Sequence, residues 1–153
     1  MNKDVTILVA EDDDGHAELI VEQLRDAGLA NPVIRFENGK ELLDHLEAGS
    51  ASGAGGLGPC LVLLDIRMPV MDGVEALKAI KSRPALRTIP VIMLTTTDDP
   101  REVEECYREG CNLYITKPLD FAKFSETLKR VGLFVLILSV AQPGRATAVA
   151  EEA

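Results

Sequence analysis

The chain has 153 residues, enough for one domain with a sizeable core and too few for a second folded module, since a domain of this size buries roughly two-thirds of its unfolded surface. Its 25 acidic against 16 basic residues leave a net charge of -9, which excludes a broad attraction to nucleic acid or to an anionic membrane and makes a cation the natural small partner. Three cysteines, Cys60, Cys106 and Cys111, are odd in number and lack paired metal-ligand spacing, so they describe neither a disulfide framework nor a zinc site. They read as small core residues in a reducing compartment. The opening Met1-Asn2-Lys3-Asp4 has no basic region followed by an apolar core, and cytoplasm is the expected location.

Val5-Thr6-Ile7-Leu8-Val9-Ala10 is a short β-branched run that ends in a block of carboxylates, Glu11-Asp12-Asp13-Asp14: a strand with acid at its carboxyl end. Ala17, Ile20, Val21 and Leu24 then fall at i, i+3, i+4 and i+7, the pattern of an amphipathic helix that closes at Gly28 with Asn31-Pro32 beyond it. Val33 to Phe36 is a second, weaker strand, and Asn38-Gly39 opens a helix carrying Leu42, Leu43 and Leu46 on one side. The stretch GSASGAGGLGP, residues 49–59, has no periodicity and no charge and is expected to form a flexible surface loop. It is no phosphate cradle, because it lacks a GK[ST] ending and precedes a strand where a P-loop follows one.

Leu61-Val62-Leu63-Leu64 is wholly apolar, as suits a parallel strand covered on both faces, and it delivers a single carboxylate, Asp65. Met68 is held out of the helical region by Pro69, and Asp72-Gly73 can cap a third helix with Val74, Leu77 and Ile80 on one face and Pro84 beyond its end. Pro90 to Leu94 is a fourth apolar strand running into Thr95-Thr96-Thr97. Pro100 suits a first helical turn, and Val103, Cys106, Tyr107 and Gly110 mark the inner face of a fourth helix. Leu113 to Thr116 is a short strand that meets Lys117-Pro118, and a fifth helix follows with Phe121, Phe124, Leu128 and Val131 inward. Five strands alternating with five helices predict a doubly wound α/β fold around a parallel sheet. In such sheets the functional crevice lies outside the carboxyl ends of the strands. Glu11-Asp12, Asp65, Thr95 and Lys117 stand at four of those ends.

A strand-end Asp taken alone is better explained by loop hydrogen bonds than by chemistry. Several carboxylates converging on one spot, however, repel one another unless something positive joins them, and no histidine or cysteine set accompanies them. Magnesium, which takes one or two carboxylates together with waters and phosphate oxygens, is what Glu11, Asp12 and Asp65 could arrange. Asp65 would then act as the nucleophile toward phosphorus, with the metal, Lys117 and the Thr95 hydroxyl stabilising the charged equatorial oxygens. His16 and His45 are lone residues in helical surroundings and read as surface side chains.

The acidic pair after the first strand, LLDIRMPVMDG around Asp65, Leu-Thr-Thr after the fourth strand and Tyr-Ile-Thr-Lys-Pro after the fifth resemble, in order and over residues 4–131, the response-regulator receiver domain. The resemblance implies a flavodoxin-like sheet of order 2-1-3-4-5, with phosphotransfer from a sensor histidine kinase to Asp65. It implies Mg²⁺ on Glu11, Asp12, Asp65 and the Arg67 backbone carbonyl, phosphoryl contacts from Thr95 and Lys117, and Thr95 and Tyr114 as the switch pair. Glu11 stands where Asp is commoner and lengthens one arm of the metal side. A haloacid-dehalogenase-like phosphatase is the competing reading, but its mechanism needs a second carboxylate two residues after the nucleophile, and here that residue is Arg67. A pseudo-receiver that serves only as an interaction module is a third.

Beyond a receiver domain over residues 1–132, Leu133, Phe134, Val135, Leu136, Ile137 and Leu138 begin an apolar arm that continues to Val140. It is shorter than the about 20 apolar residues a membrane span requires, and an exposed edge of this kind would aggregate. Two readings are open: a segment folded back on its own domain, or a homodimer contact, which is the one expected here. Residues 141–153 read as a disordered tail. With no basic recognition helix in the chain, the output is expected to be contact with a downstream protein whose identity the sequence does not give. The long loop before the third strand and the apolar arm most resemble the small regulators paired with bacterial and cyanobacterial phytochromes, which makes a bacteriophytochrome one candidate for the kinase.

Overall fold

Strands that are apolar at consecutive positions need cover on both faces, and the helices between them supply it. A computed structural model describes residues 5–26, 28–51, 57–96 and 99–116. The elements are β1 (Thr6–Ala10), α1 (Asp14–Asp26), β2 (Val33–Phe36), α2 (Gly39–Ala51), β3 (Cys60–Leu64), α3 (Gly73–Ser82), β4 (Val91–Thr95), α4 (Pro100–Arg108) and β5 (Leu113–Thr116). All pairings are parallel and the strand order is β2-β1-β3-β4-β5, the flavodoxin-like order expected. The described residues contain four helices; the predicted fifth helix, Lys117-Pro118 and the apolar arm lie outside them.

Period-two alternation divides the strand side chains between two cores. Ile7, Val9, Leu61, Leu63, Ile92 and Leu94 face Ile20 and Leu24 of α1. Leu8, Ala10, Val62, Leu64 and Met93 face Leu42, Leu46, Leu77, Ile80 and Cys106 from α2, α3 and α4. All three cysteines are buried and free, as small core residues should be. Burial pushes the thiol pKa up to about 11 in Cys60, about 12 in Cys106 and about 11 in Cys111, which suppresses the reactive thiolate.

Two expectations need correction. The loop predicted from residue 49 begins later, because α2 continues through Ala51. Leu57 folds back over this last turn so closely that a Cβ at Gly49 would lie 2.7 Å from its Cδ1, and the Ser50 hydroxyl donates to the Glu47 carbonyl at 3.1 Å. Neither Tyr107 nor Gly110 is on the inner face of α4: the helix ends at Arg108, and Gly110 is an exposed turn residue beyond it. Tyr107 is 47% exposed, while Cys106 beside it is fully buried, and its hydroxyl accepts the Tyr114 N–H at 3.1 Å.

Candidate functional site

The direction of chain winding reverses between β1 and β3, so the crevice of the fold opens above their carboxyl ends. In register, Ala10 lies opposite both Phe36 and Leu64, which brings the next residues, Glu11 and Asp65, to the same level of the sheet. The Asp65 amide donates to the Ala10 carbonyl at 3.0 Å and so extends the β1–β3 pairing into the site. Carboxylate oxygens of Glu11, Asp12 and Asp65 all lie within 4.8 Å of one another. Glu11 is 1% exposed and Asp65 8%, whereas Asp12 faces solvent.

The β1–α1 turn is held from the neighbouring strand. The Glu11 amide donates to the Phe36 carbonyl at 2.9 Å. Arg35 holds the next peptide group, on the other side of the Glu11 Cα: its Nε and Nη2 donate to the Glu11 carbonyl at 3.0 and 2.8 Å, and its Nη1 donates to Asp14 Oδ1 at 2.6 Å. The hydrogen bond to Asp14 raises the already high pKa of this guanidinium. Asp13 Oδ1 accepts the His16 amide at 2.9 Å at the start of α1, and Glu11 Oε2 accepts the Asp13 amide at 3.3 Å. His16 is a surface residue as expected, but its Nδ1 comes within 3.7 Å of Glu11 Oε1.

The loop after β3 is equally fixed. Asp65 Oδ1 accepts the Ile66 amide at 2.8 Å, which sets the plane of the carboxylate. The Gly73 amide donates to the Ile66 carbonyl at 2.8 Å, and a Cβ on Gly73 would run into the Asp65 carbonyl oxygen, so only glycine fits. Asp72 caps α3 as predicted: its Oδ1 accepts the Glu75 amide at 2.8 Å, and Glu75 accepts the Asp72 amide at 3.3 Å, a reciprocal capping box. In the loop ahead of this cap Val70 is 79% exposed and has φ 68°, with the Met71 amide bonded to the Pro69 carbonyl at 2.7 Å across it. That is a left-handed γ-turn carried by a β-branched residue.

A cleft of about 630 Å³ starts at Asp12 and runs along Arg67, Met68 and α3 to Glu102 and Glu105 of α4. It lies beside the carboxylate cluster and shares only Asp12 with it. Arg67 is 69% exposed, and its Nη2 lies 3.5 Å from Glu102 across this cleft. Thr95 is placed by its backbone at the end of β4, opposite Thr116; Leu64 pairs with Met93, two residues earlier. Tyr114 is half-buried on β5, opposite Met93 and packed against the α2–α4 core. Thus the structure brings Glu11, Asp12 and Asp65 together, sets Arg67 and Thr95 on the same edge, and leaves Lys117 and Leu133 to Leu138 outside the described residues. Arg35 escaped the sequence reading because an arginine on a short edge strand gives only the signal of a solvated side chain. The oxygen-only donor set, two of its members desolvated, fits a hard divalent cation.

A family model described as the response regulator receiver domain matches residues 7–129. A solved receiver domain from Rhodospirillum rubrum is 42% identical with a TM-score of 0.76, covering 86% of this chain and 94% of that one. The phosphorylated cyanobacterial phytochrome response regulator RcpA is 32% identical with a TM-score of 0.74, covering 86% and 93%. The Mn²⁺-bound form of the response regulator Rcp1 is 29% identical with a TM-score of 0.69, covering 82% and 90%. The strand order, the acidic crevice at the winding reversal and these likenesses agree: the chain belongs to the response regulator receiver domain family.

Proposed function

We propose that this protein takes a phosphoryl group from a sensor histidine kinase onto Asp65, in an Mg²⁺-dependent reaction, and thereby switches a protein-interaction surface. The observation that carries the reading is the convergence of Glu11, Asp12 and Asp65 at the winding reversal of a receiver fold. A carboxylate oxygen of Asp65 attacks phosphorus of the phosphoimidazole; the P–O bond forms, the P–N bond breaks, and the imidazole leaves with the electron pair. The Ile66 amide, bonded to Oδ1, holds the carboxylate plane during attack. Mg²⁺ held by Glu11, Asp12, Asp65 and the Arg67 carbonyl would supply positive charge for the phosphoryl oxygens. The Mn²⁺-bound form of Rcp1 and the phosphorylated form of RcpA support both parts of the reading.

Thr95 and Lys117 are assigned to the phosphoryl oxygens, and Thr95 with Tyr114 to the switch. Tyr114 is half-buried and packs against the core formed with α2, α3 and α4. The protein turns over no separate substrate; it catalyses only its own phosphorylation and dephosphorylation. Arg67 at the second position after Asp65 offers no acid for a leaving group. A phytochrome-type kinase is the favoured partner, in view of the likeness to RcpA. We assign residues 1–132 to the receiver, residues 133–140 to a homodimer contact and 141–153 to a tail, with the protein working in the cytoplasm. Among the described residues no helix is long and apolar enough to cross a membrane.

Acetyl phosphate with Mg²⁺ tests the central claim. Intact-mass measurement should show one phosphoryl adduct on the wild type and none on Asp65→Asn. An adduct on Asp65→Asn at wild-type yield sinks the assignment, and sustained multiple turnover of a phosphomonoester revives the phosphatase.

A further inference from the structure

We propose that Arg35 is a positioning residue for the cation site: its guanidinium clamps the Glu11 peptide carbonyl and Asp14 together and so aims the Glu11 and Asp12 carboxylates at Asp65. The proposal rests on the cation reading above and adds to it a residue from β2, a strand that contributes no carboxylate to the cluster.

The geometry is that of a fork closing on one backbone atom. Nε and Nη2 converge on the Glu11 oxygen at 3.0 and 2.8 Å, and Nη1 reaches Asp14 Oδ1 at 2.6 Å. With the Glu11 amide fixed to Phe36, the peptide groups on both sides of the Glu11 Cα are anchored to consecutive residues of one strand. The Glu11 side chain therefore leaves a backbone held on both sides, and Asp12 begins at the clamped carbonyl carbon. Glu11 to Asp14 are four consecutive carboxylates whose mutual repulsion would open the turn, and Arg35 places one positive charge against its far end. The guanidinium contacts the backbone and Asp14, leaving the Glu11, Asp12 and Asp65 oxygens to face one another. A lysine cannot reproduce this, since it carries a point charge without the planar fork.

Charge and positioning predict opposite signs, which makes the proposal testable. If Arg35 acted only as a nearby positive charge, its removal would tighten divalent-cation binding. If it aims the ligands, removal weakens binding, and loss of an outer-shell partner of this kind costs about tenfold or more in metal affinity. Mn²⁺ is titrated into the full chain and the free ion followed by electron paramagnetic resonance, with wild type, Arg35→Ala, Arg35→Lys and, as a distant control, Arg83→Ala, which breaks the Arg83–Glu47 pair. Amide hydrogen exchange without metal, well below the unfolding temperature, supplies a second readout.

The expected result is a roughly tenfold loss of Mn²⁺ affinity in Arg35→Ala, an intermediate loss in Arg35→Lys and none in Arg83→Ala. The amides of Glu11, Asp13 and His16 should exchange faster in Arg35→Ala, while those of Ile66 and Gly73 stay protected. Unchanged or tighter Mn²⁺ binding by Arg35→Ala overturns the proposal, with or without faster exchange, and so does an equal loss in Arg83→Ala. Should Arg35→Ala fail to fold, Arg35→Lys is read alone, and wild-type affinity there overturns it. A wild type that binds no Mn²⁺ at all overturns the cation reading itself, whereas wild-type binding with an unaffected Arg35 variant overturns only the clamp.

Discussion

Val70 and Gly73 sit three residues apart in the loop after Asp65, and each holds the backbone in a way that only one of them suits. Gly73 lies against the Asp65 carbonyl where no Cβ fits, so Gly73→Ala should displace the loop and cut phosphorylation along with stability. Val70 is the opposite case: a β-branched residue at φ 68° with its side chain in solvent. Strain of this kind costs about 1–3 kcal/mol, whereas the added freedom of a glycine in the unfolded chain costs at most about 1 kcal/mol. Val70→Gly is therefore expected to raise stability by about 1 kcal/mol. Urea unfolding at neutral pH checks this, and a lower midpoint would show that the exposed valine makes a contact worth more than the strain. Asp72-Gly73 was legible as a helix start because the residue types name their own geometry; Val70 was not, since nothing about valine announces a left-handed turn. The same contrast separates Asp65, marked out by the apolar run before it, from Arg35, whose role depends on a strand-pairing register that no local pattern expresses.

Among the elements, the strands were the most legible and the helix faces the least. β2 and β5 have the predicted limits because β-branched runs end at polar or turn residues. The inner face of α4 was misread at Tyr107, since periodicity cannot tell a buried aromatic from one whose hydroxyl receives the Tyr114 amide at the surface. What does face inward there is Cys106, followed by Cys111 at the entrance to β5, and these give the α4–β5 unit a pH dependence. Burial raises both thiols, from 9.0 to about 12 and about 11. A raised folded pKa means that the native state keeps protons which the unfolded state gives up, so this contribution is intact below about pH 9 and is lost as pH rises through the folded values. Urea midpoints should accordingly fall between pH 9 and 10.5. Cys106→Ala should start lower, because it leaves a cavity, yet decline less steeply over the same interval. Equal slopes in the two proteins would remove the thiol from the account.

At the scale of the whole molecule, a net charge of -9 and three carboxylates within 4.8 Å of one another crowd negative charge into the crevice at the winding reversal. The sheet cannot relieve this by moving apart, because Glu11 and Asp65 are tied to adjacent strands through the Phe36 and Ala10 carbonyls. A divalent cation bound at the cluster, as proposed above, would therefore add to stability. At a free Mg²⁺ concentration ten times its Kd, native-state binding would add about 1.4 kcal/mol. For a chain of this length that corresponds to a rise in Tm of roughly 3–6 °C. Sodium chloride at equal ionic strength screens the surface but cannot bridge the cluster, and should raise Tm by less. Asp12 is the member exposed to solvent, so Asp12→Asn relieves repulsion without leaving a buried group unpaired. Without Mg²⁺ this variant should be at least as stable as wild type, and with Mg²⁺ it should gain little, so that the order of the two proteins reverses on adding the ion. Melts with and without Mg²⁺ decide it: parallel gains in both proteins would move the cation away from Asp12, and a wild type indifferent to Mg²⁺ would sever the link between the acidic crevice and metal.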